Sequence, residues 1–383
     1  MSDKDKEYRI FISAAEQSGE THCAHLIGAI KQQDASVEFV GTGGPKMEAA
    51  GCRLFESTVD QATMGYNAFS EVGYYWKLVR RIRDYFQQNR VDLVVLCDSH
   101  AYNIHVAKAA RKAGIPTLFY VAPQYWAWAE WRIHKLRRCC DRLCCILPFE
   151  EQWFTERGIA ATFVSNPLLD DVSTDLSPCV KDYAGFDPRR VKVALIPGSR
   201  KAEIEILWQP MQEIALALRR RYPEAELTAV AASPKREEAL RKAQLPGLAC
   251  RYTVDSVRDT ALQSDFALVT SGSATLEVAS AGCPLIVMYQ MSRILWHGVG
   301  RWLVKSKLLS LVNLLADRHL VPEFMPYFSS VDPIIAKAIE MIDAPQALAR
   351  LSQELIGITQ PLAAKRTRDE VASVALEMLR SRA

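Results

Sequence analysis

The sequence predicts an α/β protein with two Rossmann-like domains that face a cleft, and three observations lead to that prediction. In the first half of the 383 residues, apolar runs of strand length alternate with amphipathic runs of helix length, which is typical of a parallel sheet covered by helices. The second half repeats the plan after a segment rich in Asp, Ser and Pro, Asp170–Asp187. The length suits two domains of ordinary size. We predict domains at 1–168 and 169–344, and C-terminal helices at 345–383 that pack back toward the first domain.

The individual elements follow from the period of their apolar residues. The first half predicts strands at Arg9–Ala14, Val37–Gly41, Asp92–Asp98 and Thr117–Val121, with helices at His22–Gln32, Trp76–Gln88 and Ile104–Ala113. The second half predicts strands at Val191–Ile196, Glu226–Ala231, Ala249–Tyr252, Phe266–Val269 and Leu285–Tyr289. Ligands of such sheets bind at the carboxyl ends of the strands, so we expect the sites there.

Composition narrows the classes of function. The net charge is only +3 and no long basic run occurs, which disfavours nucleic acid as a partner. The charged N-terminus enters a strand at once, and no apolar run reaches about twenty residues. We therefore expect a cytoplasmic protein, with the membrane surface as a further possibility. The ten cysteines lack metal-site spacing, so we interpret them as buried free thiols and expect neither a metal nor a disulfide framework.

The stretch from Val269 to Pro284 indicates a phosphate site. A turn of small residues precedes a helix that carries one acid, Glu277; the turn and first helical positions are Ser271, Gly272, Ser273 and Thr275. Helix N-terminal N–H groups lack partners and stabilise an anion. An acid one turn further on can accept hydrogen bonds from ribose hydroxyls. The pattern favours a nucleotide diphosphate.

A second strand, turn and helix lies at Leu195–Ile204. There Gly198 lets the chain turn or approach a ligand, Ser199 can cap the helix, and Arg200 is a planar donor suited to a pyrophosphate. An alternative interpretation is that Arg200 only pairs with Glu203 on the surface.

Asp98 is the candidate catalytic acid. It ends an apolar strand, and a carboxylate at that position can act as the general base toward an acceptor hydroxyl. Helix capping is the alternative, because Asp, Ser and Asn are favoured before a helix. His100 is a rival base or an orienting partner for Asp98.

The loop after the first strand contains Glu16, Ser18, Gly19 and Glu20 and is a candidate sugar or phosphate contact. It does not read GxGxxG, and the second strand ends without a ribose-binding acid, so a nicotinamide dinucleotide is disfavoured.

Aromatic residues are concentrated in three regions. Tyr120–Arg132, which includes Trp126, suits stacking on a sugar or contact with an acyl chain, with core packing as the alternative. Tyr74–Phe86 and Trp296–Leu309 combine aromatic or aliphatic residues with Arg and Lys. Both suit an anionic membrane surface, or simply a solvated basic helix face.

With these motifs assembled, the chain resembles the lipid-A-disaccharide synthase family, glycosyltransferases of the two-domain GT-B type, over nearly its full length. The collinear matches are Glu16-Gln17-Ser18-Gly19, Met64-Gly65 with Glu71-Val72, Asp98 with Asn103, Trp126-Ala127-Trp128 with Arg132, Leu147-Pro148-Phe149-Glu150, Pro197-Gly198-Ser199-Arg200 with Glu203, Ser271 to Glu277, and Asn313-Leu314-Leu315-Ala316 with Pro322-Glu323.

The resemblance implies an inverting transfer of 2,3-diacylglucosamine from UDP-2,3-diacylglucosamine to the 6-hydroxyl of 2,3-diacylglucosamine 1-phosphate, without cofactor or metal. The products would be the β-1,6 disaccharide of lipid A and UDP. It also implies peripheral association with the inner face of the cytoplasmic membrane. Oligomeric state stays open.

The resemblance also assigns roles by position. Asp98 corresponds to the essential acid, Arg200, Glu277 and Asn313 to the UDP side, and Ser18 to the loop beside it. Acceptor-side departures from the family pattern occur at Glu20, Ser99-His100, Ala129 and Ser165-Asn166. They leave two alternatives: a related transferase or epimerase with another UDP-sugar or acceptor, and a non-catalytic nucleotide-sugar-binding protein.

Overall fold

The computed structural model describes residues 8–59, 68–128, 130–292 and 308–381. The chain divides into two compact units, which we call unit 1 (Met1–Asp171 with Lys365–Ala383) and unit 2 (Val172–Ala364). Each unit is a parallel sheet covered by helices, so the predicted pair of Rossmann-like domains is confirmed.

Unit 1 contains a parallel sheet with the strand order β3-β2-β1-β4-β5-β6-β7. The strands are β1 Arg9–Ser13, β2 Glu38–Gly43, β3 Cys52–Ser57, β4 Leu93–Cys97, β5 Thr117–Tyr120, β6 Arg142–Cys145 and β7 Ala161–Phe163. The helices described in this unit are α1 Gln17–Gln33, α2 Pro45–Ala49, α3 Ala68–Gln88, α4 His100–Lys112, α5 Tyr125–Trp128, α6 Ile133–Arg137, α7 Pro148–Thr155 and, at the C-terminus, α15 Thr367–Arg380.

Unit 2 contains a second parallel sheet, with the order β10-β9-β8-β11-β12-β13. Its strands are β8 Lys192–Ile196, β9 Glu226–Ala231, β10 Arg251–Val254, β11 Phe266–Thr270, β12 Leu285–Met288 and β13 Glu323–Phe324. The helices described here are α8 Lys201–Arg221, α9 Pro234–Lys242, α10 Val257–Gln263, α11 Ala274–Ser280, α12 Leu311–Ala316, α13 Asp332–Ile342 and α14 Pro345–Ala363.

Alternation of side chains along the strands supplies a core on each face of the unit 1 sheet. Phe11, Val94 and Leu96 belong to one cluster of buried residues, whereas Ile10 and Ile12 belong to another. Successive strand residues point to opposite faces, so a run that is apolar at every position requires helices on both sides.

The C-terminal helix α15 completes the second of these cores. Its Val371 and Ala375 are fully buried in the same cluster as Ile12, and the helix packs on α1. Asp170 fixes the return of the chain, because its carboxylate accepts the backbone N–H groups of Thr367 (2.6 Å) and Arg368 (3.1 Å) at the start of α15. The predicted crossing of C-terminal helices to the first domain is therefore confirmed; the preceding helix, α14, belongs to unit 2.

Short elements and polar first turns account for the differences from the predicted elements. The predicted strands do not include β6, β7 and β13, which have only four, three and two residues, or the six-residue β3. Helices α1, α3 and α4 begin at Gln17, Ala68 and His100, at least one turn before the predicted starts, because the apolar period sets in only after a polar N-terminal turn. Within the described ranges, no helix combines the length and apolarity that a bilayer-spanning segment needs.

Candidate active site

Asp98 lies in a strained turn between β4 and α4. Its φ is 51° and that of Ser99 is 41°, so two consecutive non-glycine residues adopt the left-handed conformation, which costs about 1–3 kcal/mol each. The buried Asn103 holds this turn: its Nδ2 donates to the carbonyl oxygens of Cys97 (3.0 Å) and Asp98 (2.8 Å). Its Oδ1 accepts from the Ser13 hydroxyl at 2.8 Å. Asn103 therefore tethers the turn to β1, the neighbouring strand.

The loop after β1 lies against Asp98, as strand adjacency requires. The Ser18 hydroxyl donates to Asp98 Oδ2 at 3.3 Å, and the Ser99 hydroxyl donates to Glu16 Oε1 at 3.0 Å. A Cβ at Gly19 would lie 3.5 Å from the Asp98 Cβ, which is an ordinary van der Waals distance, so the helix start packs directly against Asp98. In the strand order of unit 1, β1 and β4 form the topological switch point, where ligands of open α/β sheets bind.

Asp98 lines a cavity of about 1450 Å³ within unit 1. Glu16 and Asp98 are the two acidic residues among those that line it. Aromatic side chains from α3, α4 and α5 form much of the wall, and six basic side chains also line it: Arg80, Arg83, His105, Lys108, Lys112 and Arg132. An amphipathic ligand with a hydroxyl, apolar groups and negative charge matches these three features.

His100 lines the same cavity, but its Nε2 makes no hydrogen bond to Asp98. The imidazole stacks on Phe119 at a centroid distance of 5.6 Å and meets Tyr125 edge-on at 6.1 Å. Its Nε2 is buried and has no hydrogen-bond partner within the described ranges. Burial lowers the pKa of His100 to about 4, so the ring is neutral at physiological pH.

Trp126 is held by a buried acid that pattern analysis had not singled out. Its Nε1 donates to Glu150 Oε1 at 3.0 Å, while the backbone N–H groups of Ile146 and Leu147 donate to Oε2 at 3.2 and 3.1 Å. Burial raises the pKa of Glu150 to about 7. Of the two tryptophans in this motif, Trp128 lines the cavity. The only sequence signal for Glu150 was its place in the Leu147–Glu150 motif.

Two residues that depart from the family pattern on the acceptor side, Glu20 and Asn166, have a structural explanation. Glu20 is buried, and its Oε1 accepts the backbone N–H of Lys46 at 2.7 Å at the start of α2. Asn166 accepts the N–H of Leu168 at 3.1 Å and donates to the carbonyl of Ile146 at 3.2 Å. Both side chains satisfy backbone groups at turns, which is the capping chemistry expected of such residues.

In unit 2, the loops after β8 and β11 meet at a second switch point. Gly198 has φ 107°, and a Cβ there would lie 3.1 Å from Thr270 Cγ2. Glu203 accepts the N–H groups of Ser199 (3.2 Å) and Arg200 (3.1 Å) and the Arg200 Nη1 (2.9 Å). Arg200 therefore forms the surface pair with Glu203 that was considered as the alternative interpretation, and its side chain is 82% exposed.

The β11 loop carries the predicted small residues. The Thr275 hydroxyl donates to the carbonyl of Gly272 at 2.7 Å, and the N–H of Ser271 donates to the carbonyl of Met288 at 2.9 Å. Ser273 precedes the first residue of α11. The Thr270 hydroxyl at the end of β11 is buried and has no hydrogen-bond partner among the described residues. Such an unsatisfied hydroxyl is uncommon in a protein interior and is suited to a bound polar group.

Glu277 lies on α11, and burial raises its pKa to about 7, with a smaller rise from the charge of Asp255 that Arg258 opposes. Asn313 differs, because both of its polar atoms are used within the protein. Nδ2 donates to the Val321 carbonyl and to Glu323, and Oδ1 accepts the N–H groups of residues 320 and 321, at 2.8–3.0 Å. Asn313 therefore organises the segment before β13.

Some predicted features lie outside the described residues. These are Met64-Gly65, Ala129 and most of Trp296–Leu309.

Comparisons with known proteins agree on one family. The family model for lipid-A-disaccharide synthetase matches residues 10–373. The lipid-A-disaccharide synthase of Geobacter metallireducens is 32% identical over 374 residues, covering 97% of each chain. That of Nitrosococcus oceani is 30% identical over 374 residues, covering 97% of this chain and 96% of the relative.

Solved structures show the same architecture at low identity. A putative UDP-N-acetylglucosamine 2-epimerase from Listeria monocytogenes superposes with a TM-score of 0.60 at 13% identity, covering 98% of this chain and 97% of that one. MurG of Acinetobacter baumannii gives 0.59 at 15% identity, covering 97% and 99%. These similarities establish the GT-B fold.

Proposed function

Because the chain belongs to the lipid-A-disaccharide synthase family and is thus a glycosyltransferase, we propose that it transfers 2,3-diacylglucosamine from UDP to the 6-hydroxyl of 2,3-diacylglucosamine 1-phosphate. The observation that carries the proposal is Asp98, which lines a large amphipathic cavity in a turn that Asn103 clamps. Strain that the surrounding structure maintains is typical of functional sites.

Asp98 is the general base in this proposal. Its carboxylate takes the proton of the acceptor hydroxyl as that oxygen attacks the anomeric carbon of the donor. The new oxygen–carbon bond forms while the bond from the anomeric carbon to the diphosphate breaks, and UDP leaves with the electron pair. The configuration therefore inverts. General base catalysis of this kind contributes about a hundred- to ten-thousandfold in rate.

Unit 2 supplies the UDP site in the proposal. Arg200 is exposed and, among the described residues, pairs with Glu203 in its own loop, so its guanidinium can turn to a diphosphate and stabilise the charge of the leaving group. The unpartnered hydroxyl of Thr270 lies beside this loop, and Glu277 follows one turn into α11 for the ribose hydroxyls. Asn313 acts here by positioning residues 320–323.

We also propose that unit 1 binds the inner face of the cytoplasmic membrane through tryptophans near the cavity. Trp76, Trp128 and Trp131 are 70%, 44% and 61% exposed. Arg132 lies over the rings of Trp128 and Trp131 at 4.9 and 5.1 Å. Exposed tryptophans beside cations suit the interface of an anionic bilayer. Replacing Trp76 and Trp131 by Ser should reduce cosedimentation with phosphatidylglycerol vesicles; unchanged sedimentation would contradict this surface.

The transfer reaction is tested by incubating the protein with both substrates and following UDP and disaccharide by mass spectrometry. Wild type should form the disaccharide, and Asp98→Asn should lose at least a hundredfold in kcat. Equal activity of the variant would remove Asp98 from the chemistry. Binding of UDP without disaccharide would instead favour a different acceptor or a non-catalytic binding protein.

A further inference from the structure

The basic side chains that line the unit 1 cavity are short of acidic partners. Lys108, Lys112 and Arg132 form no ion pair with a carboxylate in the part of the chain that the structure describes, and the same holds for the neighbouring Lys135. The one acid on the Arg132 segment, Glu130, is bound to Arg157 at 3.0 Å. Unpaired positive charge lining a cavity favours an anionic ligand.

Two of these cations, Lys108 and Arg132, line the cavity together with His105. Burial lowers the pKa of His105, and the charges of Lys108 and Lys135 lower it further. His105 and Lys108 are three residues apart on α4, so they share a face of the helix. Lys135 comes from α6, and Arg132 immediately precedes that helix. Segments from two parts of the chain thus bring positive charge to the middle of α4.

The axial spacing along α4 measures how far each cation lies from the catalytic acid. The helix begins at His100, two residues after Asp98. At a rise of about 1.5 Å per residue, the Cα atoms of residues 105, 108 and 112 lie roughly 7, 12 and 18 Å further along the axis. Helical side chains lean toward the N-terminus, so the ammonium group of Lys108 is directed back toward His105.

The proposed acceptor has its own fixed span. Six bonds separate its 6-hydroxyl oxygen from the phosphorus at position 1, so at about 1.5 Å per bond the two atoms can be no more than roughly 8 Å apart. With the hydroxyl at Asp98, a phosphate on that sugar reaches the position of His105 and the ammonium group of Lys108. Lys112 lies one turn further along α4.

From this spacing we propose that Lys108, with His105 and Arg132 around it, binds the phosphate monoester of the acceptor sugar and so selects a phosphorylated acceptor. This inference rests on the proposed function, because it takes Asp98 as the position of the reacting hydroxyl. A charge-assisted hydrogen bond from Lys108 then favours the phosphorylated acceptor over its phosphate-free analogue.

The test compares two short-chain acceptors that differ only in the 1-phosphate, in phosphatidylcholine vesicles with and without phosphatidylglycerol. Lys108→Met keeps the length of the side chain and removes its charge, and Lys242→Met, at the exposed end of α9 in unit 2 and outside the residues that line the cavity, is the control. We expect Lys108→Met to lower kcat/KM for the phosphorylated acceptor about ten- to a hundredfold and to change kcat/KM for the phosphate-free acceptor less than about twofold. Lys242→Met should leave both values near those of wild type.

Equilibrium binding of the phosphorylated acceptor, measured by calorimetry, separates this inference from the proposed reaction. Lys108-dependent binding without turnover by the wild type would overturn the reaction and support the phosphate site. Turnover with equal losses for the two acceptors in Lys108→Met would overturn the phosphate site and leave the reaction standing. A loss that appears only with phosphatidylglycerol present would assign Lys108 to membrane headgroups, which also overturns the inference.

Discussion

Replacing Asn103 by Ala should impair both stability and catalysis, because its amide holds the turn that presents Asp98. The substitution removes three hydrogen bonds, to Ser13, Cys97 and Asp98. At a net value near 1 kcal/mol each, the free energy of unfolding of unit 1 should fall by about 3 kcal/mol. The turn then relaxes from its left-handed conformation at Asp98 and Ser99. A displacement of about 1 Å costs on the order of a hundredfold in rate.

The assay measures disaccharide formation per folded molecule, at a temperature where circular dichroism shows wild type and variant to be folded. Ser13→Ala is the matched control, since it removes one hydrogen bond of Asn103 and keeps the two that hold the turn. We expect a loss of about a hundredfold for Asn103→Ala and less than about fivefold for Ser13→Ala. If Asn103→Ala lowers the melting temperature but retains more than a third of the activity, the turn does not depend on this amide.

Three further predictions concern pH, packing and donor binding. Burial raises the pKa of Glu150 from 4.5 to about 7, so the folded state binds this proton more tightly and the free energy of unfolding should fall as pH rises across that range. Glu277 contributes in the same direction. Glu150→Gln should make the melting temperature depend less steeply on pH between pH 5 and 7.5, and an unchanged dependence would contradict the raised pKa of Glu150. Gly41→Ala should destabilise unit 1 by about 3 kcal/mol or more, because the new Cβ would lie 1.9 Å from a backbone oxygen. The Cβ added by Gly28→Ala would meet no described atom within 4 Å, so this substitution should stabilise α1 by about 0.5–1 kcal/mol. Urea titration of both variants checks the contrast. Arg200→Ala should raise KM for the UDP-sugar about tenfold or more and leave the melting temperature nearly unchanged, because the side chain is 82% exposed; an unaltered KM would remove Arg200 from the donor site.

Local patterns in the sequence determined the architecture and pointed to several site residues. Strand and helix periods gave two parallel-sheet domains, since burial of both faces of a sheet leaves apolar runs that alternate with amphipathic ones. Strand-end loops drew attention to Asp98, Arg200 and Glu277, because ligands bind where parallel strands end. The collinear motifs carried the resemblance to the family.

Only the tertiary structure decided how those residues are held and what surrounds them. Asn103 reaches Ser13 across 90 positions, and Asp170 reaches Thr367 across 197. Glu20, a departure from the family pattern, proved to hold the start of α2. Hydrogen bonds between distant segments leave no period in the sequence, because the fold alone brings the partners together. For the same reason the sequence does not indicate that Lys108 and Arg132 line the same cavity as Asp98.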